Sequence, residues 1–69
     1  MNDTELRQFI IDRIELYGLT PSEADTTDMK CTIARLAVMR FGEVFNFQRI
    51  YMEVVEEMRR VNAELGIGE

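Results

Sequence analysis

Residues 31–41 form the most apolar stretch of the chain, with the sequence CTIARLAVMRF. Wound as a helix, this stretch leaves only a narrow polar stripe at Thr32 and Arg35, and a helix that is apolar on nearly every side is normally buried on nearly every side. A chain of 69 residues has few other segments that could cover such a helix. The sequence therefore predicts a central helix that is enclosed by the rest of the domain, by a partner, or by both.

The length and the cysteine content limit how the chain can be stabilised. Sixty-nine residues make one domain, residues 1–69, with 67–69 as a frayed tail. Domains this small often rely on disulfides, a metal or a second subunit. A single cysteine, Cys31, cannot form an internal disulfide, and a chain without histidine lacks the usual zinc ligands. We therefore expect no metal and no cofactor, and self-association remains as the additional source of stability.

The charge of the chain bears on its partners and its location. Thirteen acidic residues against eight basic ones give a net charge of −5, which repels the phosphate backbone of nucleic acids. No run approaches the roughly 18 apolar residues of a membrane span. The N-terminus is acidic where a signal peptide would be basic. We expect a cytoplasmic protein that binds neither membranes nor nucleic acid.

The first helix is predicted over about residues 4–17. Asp3 or Thr4 caps its start, and Gly18 stands where a left-handed terminating residue is favoured. The following Thr20-Pro21-Ser22-Glu23 is typical of a capping box and predicts a single helical turn at 21–24. The apolar residues of the first helix recur at the i, i+3, i+4 spacing of one buried face: Leu6, Phe9, Ile10, Ile14 and Tyr17.

The central helix is predicted over about 26–41 and the last helix over about 46–65. Asp25, Thr26 or Thr27 caps the central helix, which ends at Gly42. Asn46 caps the last helix, where Phe45 can pack on Ile50 as a hydrophobic staple. The last helix carries a heptad-like seam that Ile50 and Val55 widen enough to pack on two helices at once. The seam consists of Phe47, Tyr51, Val54, Met58, Val61 and Leu65.

The side chains offer no recognisable catalytic arrangement. Without histidine, the commonest general base and the usual activator of a serine or cysteine nucleophile are missing. Cys31 lies at the start of an apolar helix, which favours a buried structural thiol over a reactive one. We therefore expect a protein without enzymatic activity.

Methionine and aromatic side chains exceed what the core of so small a bundle needs. Flexible methionines suit surfaces that fit a partner, and aromatic side chains anchor interfaces. The fold expected is an all-α, three-helix domain that dimerises through its last helix, and the function expected is non-enzymatic protein binding as a homodimer. A small, acidic protein without catalytic groups is typical of adaptors, anti-activators and inhibitors, including those of phages and mobile elements. The residues predicted to form the partner or dimer interface are Met39, Phe45, Tyr51, Met52, Val55 and Met58.

Two other functions fit three short helices. In a helix-turn-helix regulator, the last helix would present Gln48, Arg49 and Glu53 to DNA. That helix lacks the basic stripe that DNA binding needs. In addition, Glu43 and Gln48 would fall at positions where the motif buries apolar side chains. Alternatively, the chain is a subunit of a larger assembly in which another chain covers the central helix. We rank DNA binding second and the assembly subunit third.

Overall fold

The computed structural model describes residues 2–67, and within that range it is all-α with no strand. It confirms three long helices and the short turn between the first two. Residues 68 and 69 of the predicted tail lie outside the described residues, and Ile67 lies beyond the last helix. The helices are α1 (Asp3–Tyr17), α2 (Pro21–Ala24), α3 (Thr27–Phe41) and α4 (Phe47–Leu65).

Most helix ends follow the predicted capping chemistry. Gly18 ends α1 at φ 65°, and the predicted capping box is present because Thr20 and Glu23 bond reciprocally through side chain and backbone. Thr26 caps α3, its hydroxyl accepting a hydrogen bond from the Met29 backbone N–H at 3.3 Å. The start of α1 differs from the prediction, since the cap is Asn2, whose side-chain oxygen accepts from the Glu5 N–H.

The start of α4 is organised by a tertiary contact and not by a local cap. Asn46 occupies the cap position, yet its side chain makes no capping hydrogen bond. Its amide nitrogen instead donates to the Asp3 carboxylate at 2.5 Å, which ties the loop before α4 to the start of α1. The predicted staple is wrong, because Phe45 is 92% exposed and cannot cover Ile50.

Helices α1 and α4 lie side by side and run in the same direction. Arg49 donates to Asp3 at 3.1 Å, and one helical turn further along both helices Arg7 donates to Glu53 at 2.5 Å. The parallel arrangement requires α2 and α3 to return the chain to the starting end. Helix α2 packs on α4, where the buried Tyr51 hydroxyl donates to the Ala24 carbonyl at 2.5 Å.

The core is drawn mainly from α1 and α4. Helix α3 contributes only Ile33 and Ala37, so the rest of the chain does not enclose the central helix, and its cover by a partner stays a prediction. Val38 is 51% exposed because α3 packs through one face only, with its opposite face uncovered within the chain. The fully buried apolar residues are Leu6, Ile10, Ile14, Ala24, Ile33, Ala37, Ile50, Tyr51, Val54 and Val55.

An ion-pair cluster joins α3 and α4 to the end of α2. Asp25 follows α2, and its carboxylate accepts from Lys30 at 3.0 Å and Arg59 at 3.3 Å. Hydrogen bonds from these two cations lower the pKa of Asp25. The pKa of Asp3 shifts in the same direction through its hydrogen bonds with Asn46 and Arg49. The ionised forms of both carboxylates therefore stabilise the folded state.

Stability should fall on acidification, and Asp25 should account for part of the fall. Because its folded-state pKa lies below the unfolded value of about 3.9, its contribution is present above that pH and is lost as pH falls through the folded pKa. We expect Asp25→Asn to lower the free energy of unfolding at pH 7 and to lower it by a smaller amount at pH 3, as measured by urea denaturation. The charge-matched control Glu15→Gln, on the exposed side of α1, should be neutral at pH 7. An equal loss at both pH values in Asp25→Asn would contradict the electrostatic role.

Candidate protein-binding surface

Residues 2–67 hold neither a cluster of metal-ligating side chains nor a membrane-spanning helix. Among residues 2–67, no three histidine, cysteine, aspartate or glutamate side chains come together as a metal site. In the same range, no helix combines the length and the apolar character needed to cross a membrane. Cys31 is exposed on α3, so the prediction of a buried thiol is wrong. Its exposure has the same cause as that of Val38, since both belong to the uncovered face of α3.

The structure separates the predicted interface residues into two groups. Tyr51 is 1% exposed and Val55 is fully buried, so neither can contact a second copy or another partner. The part of the α4 stripe on which they lie is already covered by α1 and α2. For these two residues the interface prediction is therefore wrong.

The other four predicted interface residues keep some exposed surface, but they do not form one patch. Met52 and Met58 are half-buried and pack against the core from α4. Met39 is 81% exposed near the end of α3, and Phe45 is 92% exposed in the loop that follows.

The apolar stripe of α4 continues past the core towards the end of the helix. Along it the exposed fraction rises from 2% at Val54 to 39% at Val61 and 67% at Leu65, with Met58 half-buried between. The high exposure of Leu65 follows from a difference in helix length. Helix α1 starts level with the start of α4 but has 15 residues against 19, so it covers about 22 Å of an α4 that is about 28 Å long. The last turn of α4 therefore extends beyond its neighbour.

A groove opens between α1 and the exposed half of α4. Its volume is about 220 Å³, its apolar wall is formed by Ile11, Val54, Met58 and Val61, and polar groups of Arg7, Glu57 and Asn62 lie around it. We call it the α1–α4 groove. An apolar wall with a few polar groups at its edge is the usual form of a pocket that accepts an anchoring side chain.

The sequence indicates only part of this groove. Met58 was predicted as an interface residue, and Val61 was assigned to the seam without an exposed role. Ile11 was missed because it lies off the Leu6–Ile10–Ile14 stripe of α1. The signal that could have found it is the pair Ile10-Ile11, which widens the apolar face of α1 by one residue towards α4.

Comparison with known proteins gives no match to a family model, to a curated protein sequence or to a solved structure. Function is therefore inferred from the geometry of the chain itself.

Proposed function

We propose that this protein is a non-enzymatic binding domain of the adaptor, anti-activator or inhibitor type. It accepts an apolar segment of another protein in the α1–α4 groove and against the exposed end of α4. The observation that carries the proposal is the apolar stripe of α4, which leaves the core at Val54 and reaches solvent at Val61 and Leu65.

The size of the groove favours a side chain of a protein partner over a free small molecule. Small-molecule sites usually have volumes of about 300–1,000 Å³, and the α1–α4 groove has about 220 Å³. Burying one large apolar side chain completely contributes roughly 1.5–3 kcal/mol. A partner that fills the groove and covers Leu65 therefore gains from both contacts.

The structure gives no support to the alternative of a DNA-binding regulator. That function requires Arg49 to be directed towards base edges, whereas its guanidinium bonds to Asp3 at 3.1 Å and to Glu53 at 3.0 Å. The net charge of −5 also opposes binding to DNA. We further propose a cytoplasmic location, which the free, exposed thiol of Cys31 supports because reducing compartments keep thiols unpaired.

Affinity capture with matched variants tests the proposal. The immobilised protein would be exposed to lysate of its source cell, and retained proteins would be identified by mass spectrometry. Val61→Lys puts a charge into the groove wall, whereas Glu64→Gln makes the same change in net charge at an exposed neighbouring position. We expect wild type and Glu64→Gln to retain the same protein and Val61→Lys to lose it while circular dichroism shows an intact fold. Equal retention by all three variants would contradict the proposed site.

A further inference from the structure

Among the described residues, three arginines have no carboxylate partner, one on α1 and two on α3. Five of the eight basic residues form ion pairs with carboxylates: Arg7, Lys30, Arg49, Arg59 and Arg60. Within residues 2–67, no carboxylate pairs with Arg13, Arg35 or Arg40. Of the three, Arg40 lines a groove between α1 and α3.

Two of these arginines are held in place by aromatic rings. Phe9 of α1 and Phe41 of α3 meet edge to face, with ring centroids 5.5 Å apart and planes at 75°. The Arg13 guanidinium lies 5.2 Å from the centre of the Phe9 ring, and that of Arg40 lies 5.2 Å from the centre of the Phe41 ring. Stacking uses the flat face of a guanidinium and leaves the N–H groups at its edge available to a carboxylate. Arg40 is therefore oriented and exposed, and no carboxylate in the described part of the chain pairs with it.

Carboxylates lie across a groove from Arg40. An open groove of about 710 Å³ runs between α1 and α3, with Phe9 and Phe41 in its lining, and we call it the α1–α3 groove. Glu5 and Asp12 line it from α1, whereas Arg40 lines it from α3. The two sides of the groove thus carry opposite charges that do not pair within one chain.

We propose that a second copy of this chain docks on the α1–α3 groove. A two-fold axis along the groove places the α1 side of each copy against the α3 side of the other. Arg40 of each copy then faces Asp12 or Glu5 of the other copy, so the dimer contains this contact twice. The contact also covers Leu16, which is 69% exposed and lies on the same side of α1 as Phe9, seven residues earlier.

This assignment goes beyond the proposed function because it uses a different surface. It also replaces the predicted contact through the last helix, where Tyr51 and Val55 are buried within the single chain. The dimer would leave both α1–α4 grooves open for a partner protein.

Exchanging the charges of Arg40 and Asp12 tests the proposal. Sedimentation velocity over a micromolar concentration series measures the dimerisation of each variant. Arg40→Glu sets a carboxylate against the acids of the second copy, and Asp12→Arg sets a guanidinium against the Arg40 side chain of the second copy. Each variant alone should weaken dimerisation at least tenfold. An equimolar mixture should restore the dimer, because in the mixed pair the exchanged charges again face opposite charges. Arg60→Glu makes the same change in charge on α4 and should leave the dimer intact.

The possible outcomes separate this proposal from the proposed function. A monomeric wild type at all concentrations, or a mixture that fails to dimerise, would overturn the α1–α3 contact. Loss of the dimer in Val61→Lys but not in Arg40→Glu would move the contact to α4 and also overturn it. Partner capture through the α1–α4 groove is expected to be unaffected by Arg40→Glu, so either proposal can fail without the other.

Discussion

Val55→Arg is expected to unfold the protein. Val55 lies on the face of α4 that packs on the neighbouring helices, and it is fully buried. An uncompensated charge at such a site costs several kcal/mol. A domain of 69 residues has a free energy of unfolding of about 3–10 kcal/mol, from about 0.05–0.15 kcal/mol per residue. The cost of the buried charge is therefore comparable to the whole stability. Far-ultraviolet circular dichroism should show loss of most helical signal at 25 °C.

The same substitution at the end of the helix provides the control. Leu65 lies on the same apolar stripe of α4 but is 67% exposed, so its replacement by arginine leaves the new charge in water. Leu65→Arg should keep the helical spectrum and a cooperative thermal transition. A folded Val55→Arg protein would mean that α4 separates from its neighbouring helices more easily than the packing indicates. The sequence placed Val55 at a dimer contact, so the structure changes the expected effect from a weaker dimer to a lost fold.

Ile33→Ala should cost about 2–5 kcal/mol, the usual range for truncating a buried isoleucine. Ile33 is fully buried and is the only large side chain that α3 buries completely, since Ala37 is small. Removing it leaves a cavity where α3 packs on α1 and α2. In a domain of this size the melting temperature should fall by roughly 8 °C or more.

Met39→Ala is the matched control on the opposite face of α3. Met39 is 81% exposed, and its truncation should change the free energy of unfolding by about 0.5 kcal/mol or less. Chemical denaturation of both variants measures the difference directly. Similar losses in the two would contradict a helix that packs through one face. The pair therefore tests the main correction that the structure makes to the sequence prediction.

Local signals made most of the fold predictable. The helix ends depend on residues a few positions apart, so Gly18, the Thr20–Glu23 capping box and Gly42 could be interpreted without knowing the tertiary structure. The face that α1 buries was predictable as well, because its 3.6-residue periodicity is regular. Asn2 was not recognised as the first cap because Asp3 and Thr4 are equally good capping residues by type.

Tertiary choices were not predictable from the chain alone. An apolar stretch such as residues 31–41 has several faces that could be buried, and only the positions of the other helices decide that Ile33 points inwards and Met39 outwards. The wide stripe on α4 likewise fits either a second copy or two helices of the same chain. The structure resolves this in favour of α1 and α2. The α1–α4 groove escaped prediction because it depends on the parallel alignment of its two helices, which no local signal in the chain specifies.

The parallel pairing of α1 with α4 also constrains the order of folding. Its ion pairs join residues 46 positions apart, Asp3 with Arg49 and Arg7 with Glu53, so the pairing must close a long loop. An isolated helix of 15 residues is only marginally stable in water. A nascent chain therefore keeps the part of α1 that packs on α4 uncovered until α4 has been synthesised. In terms of kinetics, this long-range pairing raises the mean sequence separation of the contacts, which slows folding relative to a bundle of sequential antiparallel helices.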